Sequence, residues 1–172
     1  MVPCLPRMTL RIRRRTRLRR KEASGWVTRL SADFGMDLDV DLAAVDGADA
    51  GDRRLLLLGG DVIAFLLGDD IAPTLRSLLV HPARRRHVTV DMGAVPFIYN
   101  GADVMSPGIV AADEGIRAGD LVWVRDEKHG KPLAVGVALL DGPAMARKEK
   151  GKAIETVHHV GDDIWRLPEE AA

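Results

Sequence analysis

The residues from Phe97 to Ile109, FIYNGADVMSPGI, combine two glycines, a proline and a methionine with a single charge, Asp103. Such a loop holds no metal cluster and no phosphate-loop lysine. What it offers is bare backbone. Gly101, Ala102 and Gly108 leave peptide dipoles open to close approach by a phosphate or a ribose. Met105 adds a flexible apolar surface against which a base packs, and Pro107 stiffens the turn in advance. Tyr99 stands beside the loop as a ring for stacking, an interaction worth about 1–3 kcal/mol per base. Two readings stay open at this level: a surface for a polyanion, or glycines that serve turn geometry with Val104 and Met105 as core.

Catalytic chemistry finds little support elsewhere in the chain. His158 and His159 are adjacent on an expected strand, where neighbours face opposite sides, so at most one of them reaches any given site. Ser106 lacks the strand–turn–helix elbow of a hydrolase nucleophile. No glycine-rich loop ends in Lys-Ser or Lys-Thr. Asp91, Asp103 and Asp120 are spread over turns, the last two as turn or cap residues. Trp123 and Trp165 read as core anchors. Cys4 is the single cysteine, which excludes an internal disulfide, disfavours a thiolate metal site and fits a reducing cytoplasm. No catalytic residue, metal or cofactor is assigned, and the chain is read as a non-enzyme.

Cations are the other resource. The formal charge of zero over 172 residues conceals an asymmetry: residues 1–30 carry ten Arg or Lys against Glu22 alone, whereas residues 31–80 carry ten acids against Arg53, Arg54 and Arg76. Between Arg11 and Lys21 eight of eleven residues are cationic, Arg13, Arg14, Arg15, Arg17, Arg19 and Arg20 among them. Such a run gains affinity for phosphates without sequence specificity, or it solvates a tail. Arg84, Arg85 and Arg86 extend that path or solvate a linker. Nearer the glycine loop in the second half, Arg117, Arg125, Lys128, Lys131, Lys148, Lys150 and Lys152 are the phosphate-binding candidates, against the alternative of a solvated face.

The elements that must position these residues follow from pattern. An apolar content of 47% fills a core, and no window reaches the roughly 18 apolar residues that span a bilayer. The opening MVPCLPRM lacks the apolar core of a signal peptide, and either Met1 or Met8 serves as a start. Ala23, Trp26, Val27, Leu30 and Phe34 recur at helical spacing. MDLDVDLAAV alternates as a half-buried strand does. RLLLL and DVIAFLL flank Gly59-Gly60, a hairpin turn, and APTLRSLL is a short helix with Pro73 in its first turn. After the junction HPARRRH, a second unit opens with the strand HVTVDM, followed by GAVPFIYNG as a short helix or turn closed by Gly101. The strands DLVWVRD and KPLAVGVALL pair across EKHG. PAMARKEKG is a helix stopped by Gly151, and AIETVHHV and DIWRL are two further strands. Short strands with two small helices make a partly closed barrel.

Three segments carry a family resemblance. VDMGAVPFIYNGADVMSPGIV, AGDLVWVRDEKHGKPLAVGVALL and KGKAIETVHHVGDDIWRL resemble, in order and spacing, the PUA domain, the small RNA-binding barrel named after pseudouridine synthases and archaeosine transglycosylases. Upstream, GDVIAFLLGDDIAPTLRSLLVHP running into VDMGAVPFI resembles the N-terminal domain and junction of the malignant T-cell amplified sequence family and its stand-alone archaeal relatives. The resemblance implies an α+β protein: a basic arm at residues 1–20, a small α+β domain at 21–82, and a PUA pseudo-β-barrel at 88–168. It implies a groove for RNA along Gly101 to Gly108, and it places His158 in the closing strand as a structural residue. The residues expected at RNA are Tyr99, Gly101, Ala102, Asp103, Met105, Pro107, Gly108, Arg117, Arg125, Lys128, Lys148, Lys150 and Lys152, with the arm as an accessory. Transfer RNA at its acceptor end, or ribosomal RNA, is the implied ligand. The small ribosomal subunit and a separate SUI1-type translation factor are the implied partners, in initiation or recycling. Two rivals are a protein-interaction adaptor, with the apolar VIAFLL as its contact, and a subunit that delivers transfer RNA to a modifying enzyme.

Overall fold

The computed structural model describes residues 10–170, so Cys4 and the choice between Met1 and Met8 lie outside the described residues. Five antiparallel strands in chain order make the first sheet: β1 (Ile12–Arg17), β2 (Val45–Ala50), β3 (Arg53–Leu58), β4 (Asp61–Leu67) and β5 (Asp70–Pro73). Helix α1 (Arg20–Phe34) buries Ala23, Val27, Leu30 and Phe34 and ends at Gly35, whose φ of 63° is the left-handed stop that glycine adopts without strain. Helix α2 (Leu75–Val80) follows β5 and starts at Thr74, whose hydroxyl accepts from the Ser77 N–H at 3.2 Å.

The second sheet has the order β7-β11-β10-β9-β6-β8. Its strands are β6 (His87–Val90), β7 (Val104–Met105), β8 (Ile109–Ala112), β9 (Leu121–Asp126), β10 (Pro132–Ala138) and β11 (Lys152–His159), with α3 (Val95–Tyr99), α4 (Gly142–Ala146) and α5 (Asp163–Glu170) between or after them. The edge strands β7 and β8 are joined only by the 3-10 turn Ser106–Gly108. A connector that short brings the two edges together, and the sheet curls into the nearly closed barrel expected for it. Gly136 permits a close crossing of β10 and β11, since a Cβ there would meet the Glu155 carbonyl oxygen at 2.5 Å.

Two apolar layers lie on opposite faces of β9 and β10. Val122, Val124, Ala134 and Ala138 point into the barrel with Val88, Ile109 and Ile154. Leu121, Trp123 and Val135 point outward and pack with Phe34, Leu55, Phe65 and Leu75 of the first sheet and its helices. Strands buried on both faces read as unbroken apolar runs, and LVWV is one. Trp123 is therefore core, but in the seam between the sheets, where its indole N–H donates to the Arg85 carbonyl at 2.9 Å. Trp165 packs half-buried at the same seam, with the Arg76 guanidinium 4.3 Å from its ring centre.

His158 locks the seam. It is fully buried, and its Nε2 accepts from the Leu75 N–H at 3.1 Å. Nδ1 therefore carries the proton and donates to Asp162 at 2.9 Å. Burial pushes the Asp162 carboxyl up, but the His158 hydrogen bond and the N–H groups of Trp165 and His159 hold it below its ordinary range.

Several sequence expectations need correction. DIWRL is not a strand: α5 begins there because Asp162 accepts from the Trp165 N–H at 2.9 Å, and Ile164 and Leu167, one helical turn apart, return to the seam. MDLDVDLAAV forms no strand before Val45, since Asp41 accepts from the Ala43 N–H at 3.0 Å and closes a 3-10 turn. The ladder begins instead in VDGADA, where acids and glycine mask the alternation. Pro73 ends β5 rather than opening α2. Helix α4 stops at Ala146, with Lys148 in the left-handed region at φ 54°, so Gly151 caps no helix. The basic run is no tail: Ile12–Arg17 is the edge strand β1, and Arg15 and Arg17 both bond the buried Asp46. VIAFLL is not an exposed apolar surface, because Val62, Ile63, Ala64 and Phe65 are buried.

Two outcomes are expected. His158→Ala leaves the Leu75 N–H and Asp162 without their partner and costs about 1–3 kcal/mol of stability, read as a lower urea midpoint. For acid, the sign follows from three aspartates. Asp46 is lowered by its hydrogen bonds to Arg15 and then Arg17. Asp126, pushed up by burial, is lowered on balance by the N–H groups of His129 and Lys131, and Asp162 is lowered as above. Unfolded aspartates titrate near 3.9, so below about pH 5 the unfolded chain binds more protons and stability falls with falling pH. Urea titrations between neutral pH and the unfolding limit check this; a midpoint that rises on acidification contradicts it.

Candidate nucleic-acid interface

A groove of about 590 Å³ opens where the barrel edges meet. One wall is α3, with Ala94, Phe97 and Ile98; the other is β7 and its turn, with Val104, Met105, Pro107 and Gly108. Asp91 and Gly93 close one part of the rim, and Ala102, Asp103 and Lys152 another. The walls stand close, since a Cβ on Gly108 would lie 3.2 Å from the Ala94 Cβ, and the Gly108 carbonyl accepts from the Asp91 N–H at 2.9 Å.

The lining is chiefly apolar and part of it is open to solvent. Phe97 is 68% exposed and Met105 50%. Helical spacing explains the first: Ile98 faces the barrel interior, which turns its neighbour Phe97 outward. Large apolar groups left exposed side by side mark a contact surface. Val104, by contrast, is core.

One cation sits on the rim. Lys152 Nζ lies 2.8 Å from Asp103 Oδ2, and Asp103 Oδ1 accepts from the Thr156 N–H at 2.9 Å. The Lys152 ammonium, followed by the Thr156 N–H, holds the Asp103 carboxyl below its ordinary range, and Asp103 in turn raises Lys152. Asp103 thus ties β11 to the loop and partly neutralises the rim, so a phosphate arriving there shares Lys152 with it.

Of the residues expected from sequence, Ala102, Asp103, Met105, Pro107, Gly108 and Lys152 come together at the groove. Gly101 does not line it. Its φ of 88° and the His159 Nε2 atom, 2.8 Å from where a Cβ would lie, demand glycine for structural reasons. The N–H groups of Gly101 and Ala102 donate to Ile98 and Phe97 carbonyls at 3.0 Å each, so neither is the open dipole expected. Tyr99 is exposed on α3 but outside the lining. Lys150 adjoins Gly151, whose carbonyl accepts from the Ser106 N–H at 2.9 Å, and so flanks the 106–108 turn. Lys148 is exposed two residues earlier in the same connection.

The other cations lie apart from the groove. Arg117 is 3.9 Å from Asp141. Arg125 Nε donates to the Thr89 hydroxyl at 3.0 Å, with its guanidinium 5.7 Å from the Trp123 ring centre. Lys128 and Lys131 are exposed in the connection between β9 and β10. Sequence reasoning missed Phe97 and the small residues Gly93 and Ala94. The signal for Phe97 was present in FIY, where a one-residue shift in helical phase decides which aromatic faces out.

Comparisons with known proteins agree with this geometry. The family model of the PUA domain matches residues 86–160, which takes in the whole groove. An uncharacterized protein of Methanocaldococcus jannaschii is 47% identical over 123 residues, covering 72% of this chain and 76% of that one. Translation machinery-associated protein 20 of Saccharomyces cerevisiae is 30% identical over 123 residues, 68% of each. The crystal structure of a hypothetical protein from Pyrococcus horikoshii matches with a TM-score of 0.74 at 36% identity, over 88% of this chain and 98% of the other. With both the barrel and the preceding sheet accounted for, the chain belongs to the PUA-domain family of translation machinery-associated protein 20 and the malignant T-cell-amplified sequence proteins.

Proposed function

We propose that this chain is an RNA-binding protein of the translation machinery and that its groove receives the unpaired acceptor end of a transfer RNA. The observation that carries the reading is the exposed apolar pair Phe97 and Met105 beside the rim cation Lys152. An unstacked base gains from an aromatic face and a polarisable thioether, and the adjoining phosphate gains from the ammonium. Duplex RNA fits this surface poorly, because its bases are already stacked and cannot reach Phe97. Lys148 and Lys150 continue the phosphate track past the rim. The relatives named for the translation machinery support translation as the setting, and within it we place the protein in initiation or recycling on the small ribosomal subunit, with a SUI1-type factor as a separate partner. In this reading the protein works by binding and positioning, without a catalytic group of its own.

A second reading has its own observation. Leu79 and Val80 are 50% and 72% exposed and border a cleft of about 310 Å³ with Leu58, Val62 and Ile63. This surface, to which VIAFLL contributes only Val62 and Ile63, suits an adaptor that docks a protein. The third possibility, delivery of transfer RNA to a modifying enzyme, predicts the loss of one modified nucleoside on deletion.

Fluorescence anisotropy of labelled transfer RNA, intact or lacking its terminal CCA, tests the groove. Intact RNA binds more tightly, Phe97→Ala costs about 1–3 kcal/mol of that preference, and Met105→Asp or Gly108→Asp removes it. Equal binding of both RNAs by the parent protein rejects the acceptor-end assignment. For the adaptor, the expected result is ribosome co-purification that survives RNase and disappears in Leu79→Asp with Val80→Asp; retention in that variant excludes this face.

A further inference from the structure

Strand β1 buries almost nothing. Ile12 is half-buried, and the five residues after it are exposed. What holds the strand, beyond its ladder with β2, is the pair of arginines on Asp46, itself only 6% exposed. Arg17 also donates to the Ala43 carbonyl at 2.6 Å, and Arg15 to that of Gly59. Two arginines are thereby consumed in structure. Arg11, Arg13, Arg14, Arg19, Arg20 and Lys21 are exposed and have no ion-pair partner among the described residues. Asp49 stands opposite Arg13 in the ladder without bridging to it.

Arg14 adds a second observation. It lies in the bulge between Arg13 and Thr16 at a φ of 53°, a left-handed conformation that glycine adopts freely and arginine does not. The side chain makes no hydrogen bond or ion pair among the described residues. Folding alone gives no reason to keep a long cation at a strained, exposed site, and strain of that kind accompanies binding surfaces.

The chemistry of a ligand follows from what surrounds these charges. The exposed large apolar side chains, Leu79, Val80, Met92, Phe97, Tyr99, Met105, Val110 and Leu139, all belong to other elements. Among the described residues β1 therefore offers no wedge for a lipid surface and no open ring for an unpaired base. Guanidinium forks without either suit a rigid row of phosphates. The surface is also separate from the groove. β1 belongs to the first sheet and the groove to the edge of the second, and neither β1 nor α1 contributes a residue to the groove's lining.

We infer that β1 and the first turn of α1 form a second binding surface, for the phosphate backbone of double-stranded RNA. Recognition is electrostatic and independent of sequence, and the surface works without the groove. The choice of RNA over another duplex polyanion rests on the translational reading above. A folded RNA, or two RNA elements side by side, then engages both surfaces at once.

The test is anisotropy of a labelled blunt-ended RNA stem, which has no unpaired end for the groove, across a salt series. The full chain is compared with an Arg13→Gln, Arg14→Gly double variant. The parent binds the stem. The double variant binds it at least about tenfold more weakly at low salt, with the slope of log K against log salt shallower by about two, one per lost phosphate contact. Its thermal midpoint equals or exceeds that of the parent, because glycine relieves position 14. A parental slope in the double variant overturns the inference. So does a parent that fails to bind the stem while still distinguishing transfer RNA with and without CCA; that outcome leaves the groove intact and turns attention to an acidic protein as the partner of β1.

Discussion

The contact on which this structure depends is a buried histidine that belongs to the barrel and bonds the backbone of the other sheet's helix. His158 on β11 accepts from the Leu75 N–H at the start of α2 and donates to Asp162. Each partner has a reason to need it. Leu75 is at the first turn of a helix, where N–H groups have no intrahelical acceptor, and it is fully buried. Asp162 sits in the turn before α5 and organises it through the N–H groups of His159 and Trp165. One imidazole therefore joins the first sheet, the barrel and the last helix. Around it Phe65 packs edge-on at 5.6 Å, within the apolar layer that Trp123 and Val135 share with the first sheet.

That seam decides what is free for contact. Because the outward faces of β9 and β10 are covered, the barrel's exposed apolar residues are confined largely to the closure between β7 and β8 and to α3 above it. The closure is held by backbone and by one ion pair, Lys152 with Asp103. Its walls are lined by small residues because α3 and the 106–108 turn approach closely. A narrow cleft with one open aromatic ring and one half-neutralised cation is the geometry on which the proposed binding of a single unstacked base rests. In that proposal the wider phosphate backbone is met elsewhere, and the exposed cations between Arg11 and Lys21 that make no ion pair among the described residues are one such reserve.

The first sheet shows how a fold can use charge where it lacks apolar area. Asp46 accepts from two arginines at once, so that a strand with almost no buried side chain still completes the sheet. A partly buried carboxylate with two guanidinium partners satisfies its desolvation. The same arrangement fixes the direction of β1, and with it the remaining arginines, on the outer edge.

The barrel was legible in the sequence because its strands are strongly patterned and bounded by turns: LVWVRD and KPLAVGVA across EKHG, and the short helix ending at Gly101. The glycine loop was legible as a special backbone, and five of its expected contact residues do converge, together with Lys152 of β11. Sequence by itself established the apolar runs, the turn positions and the family. It did not show that Phe97 rather than Tyr99 opens into the groove, because that depends on which face of a five-residue helix the barrel covers. Nor did it show that Gly101 yields to His159, that Asp103 holds Lys152, or that DIWRL is a helix rather than a strand. The basic run read as a free arm or a solvating tail because its partner, Asp46, is 29 residues from Arg17. Local pattern specifies which residues are apolar and where the chain turns. Pairing across sheets decides which charges are spent on structure and which remain for a ligand, and that information exists only when distant segments meet.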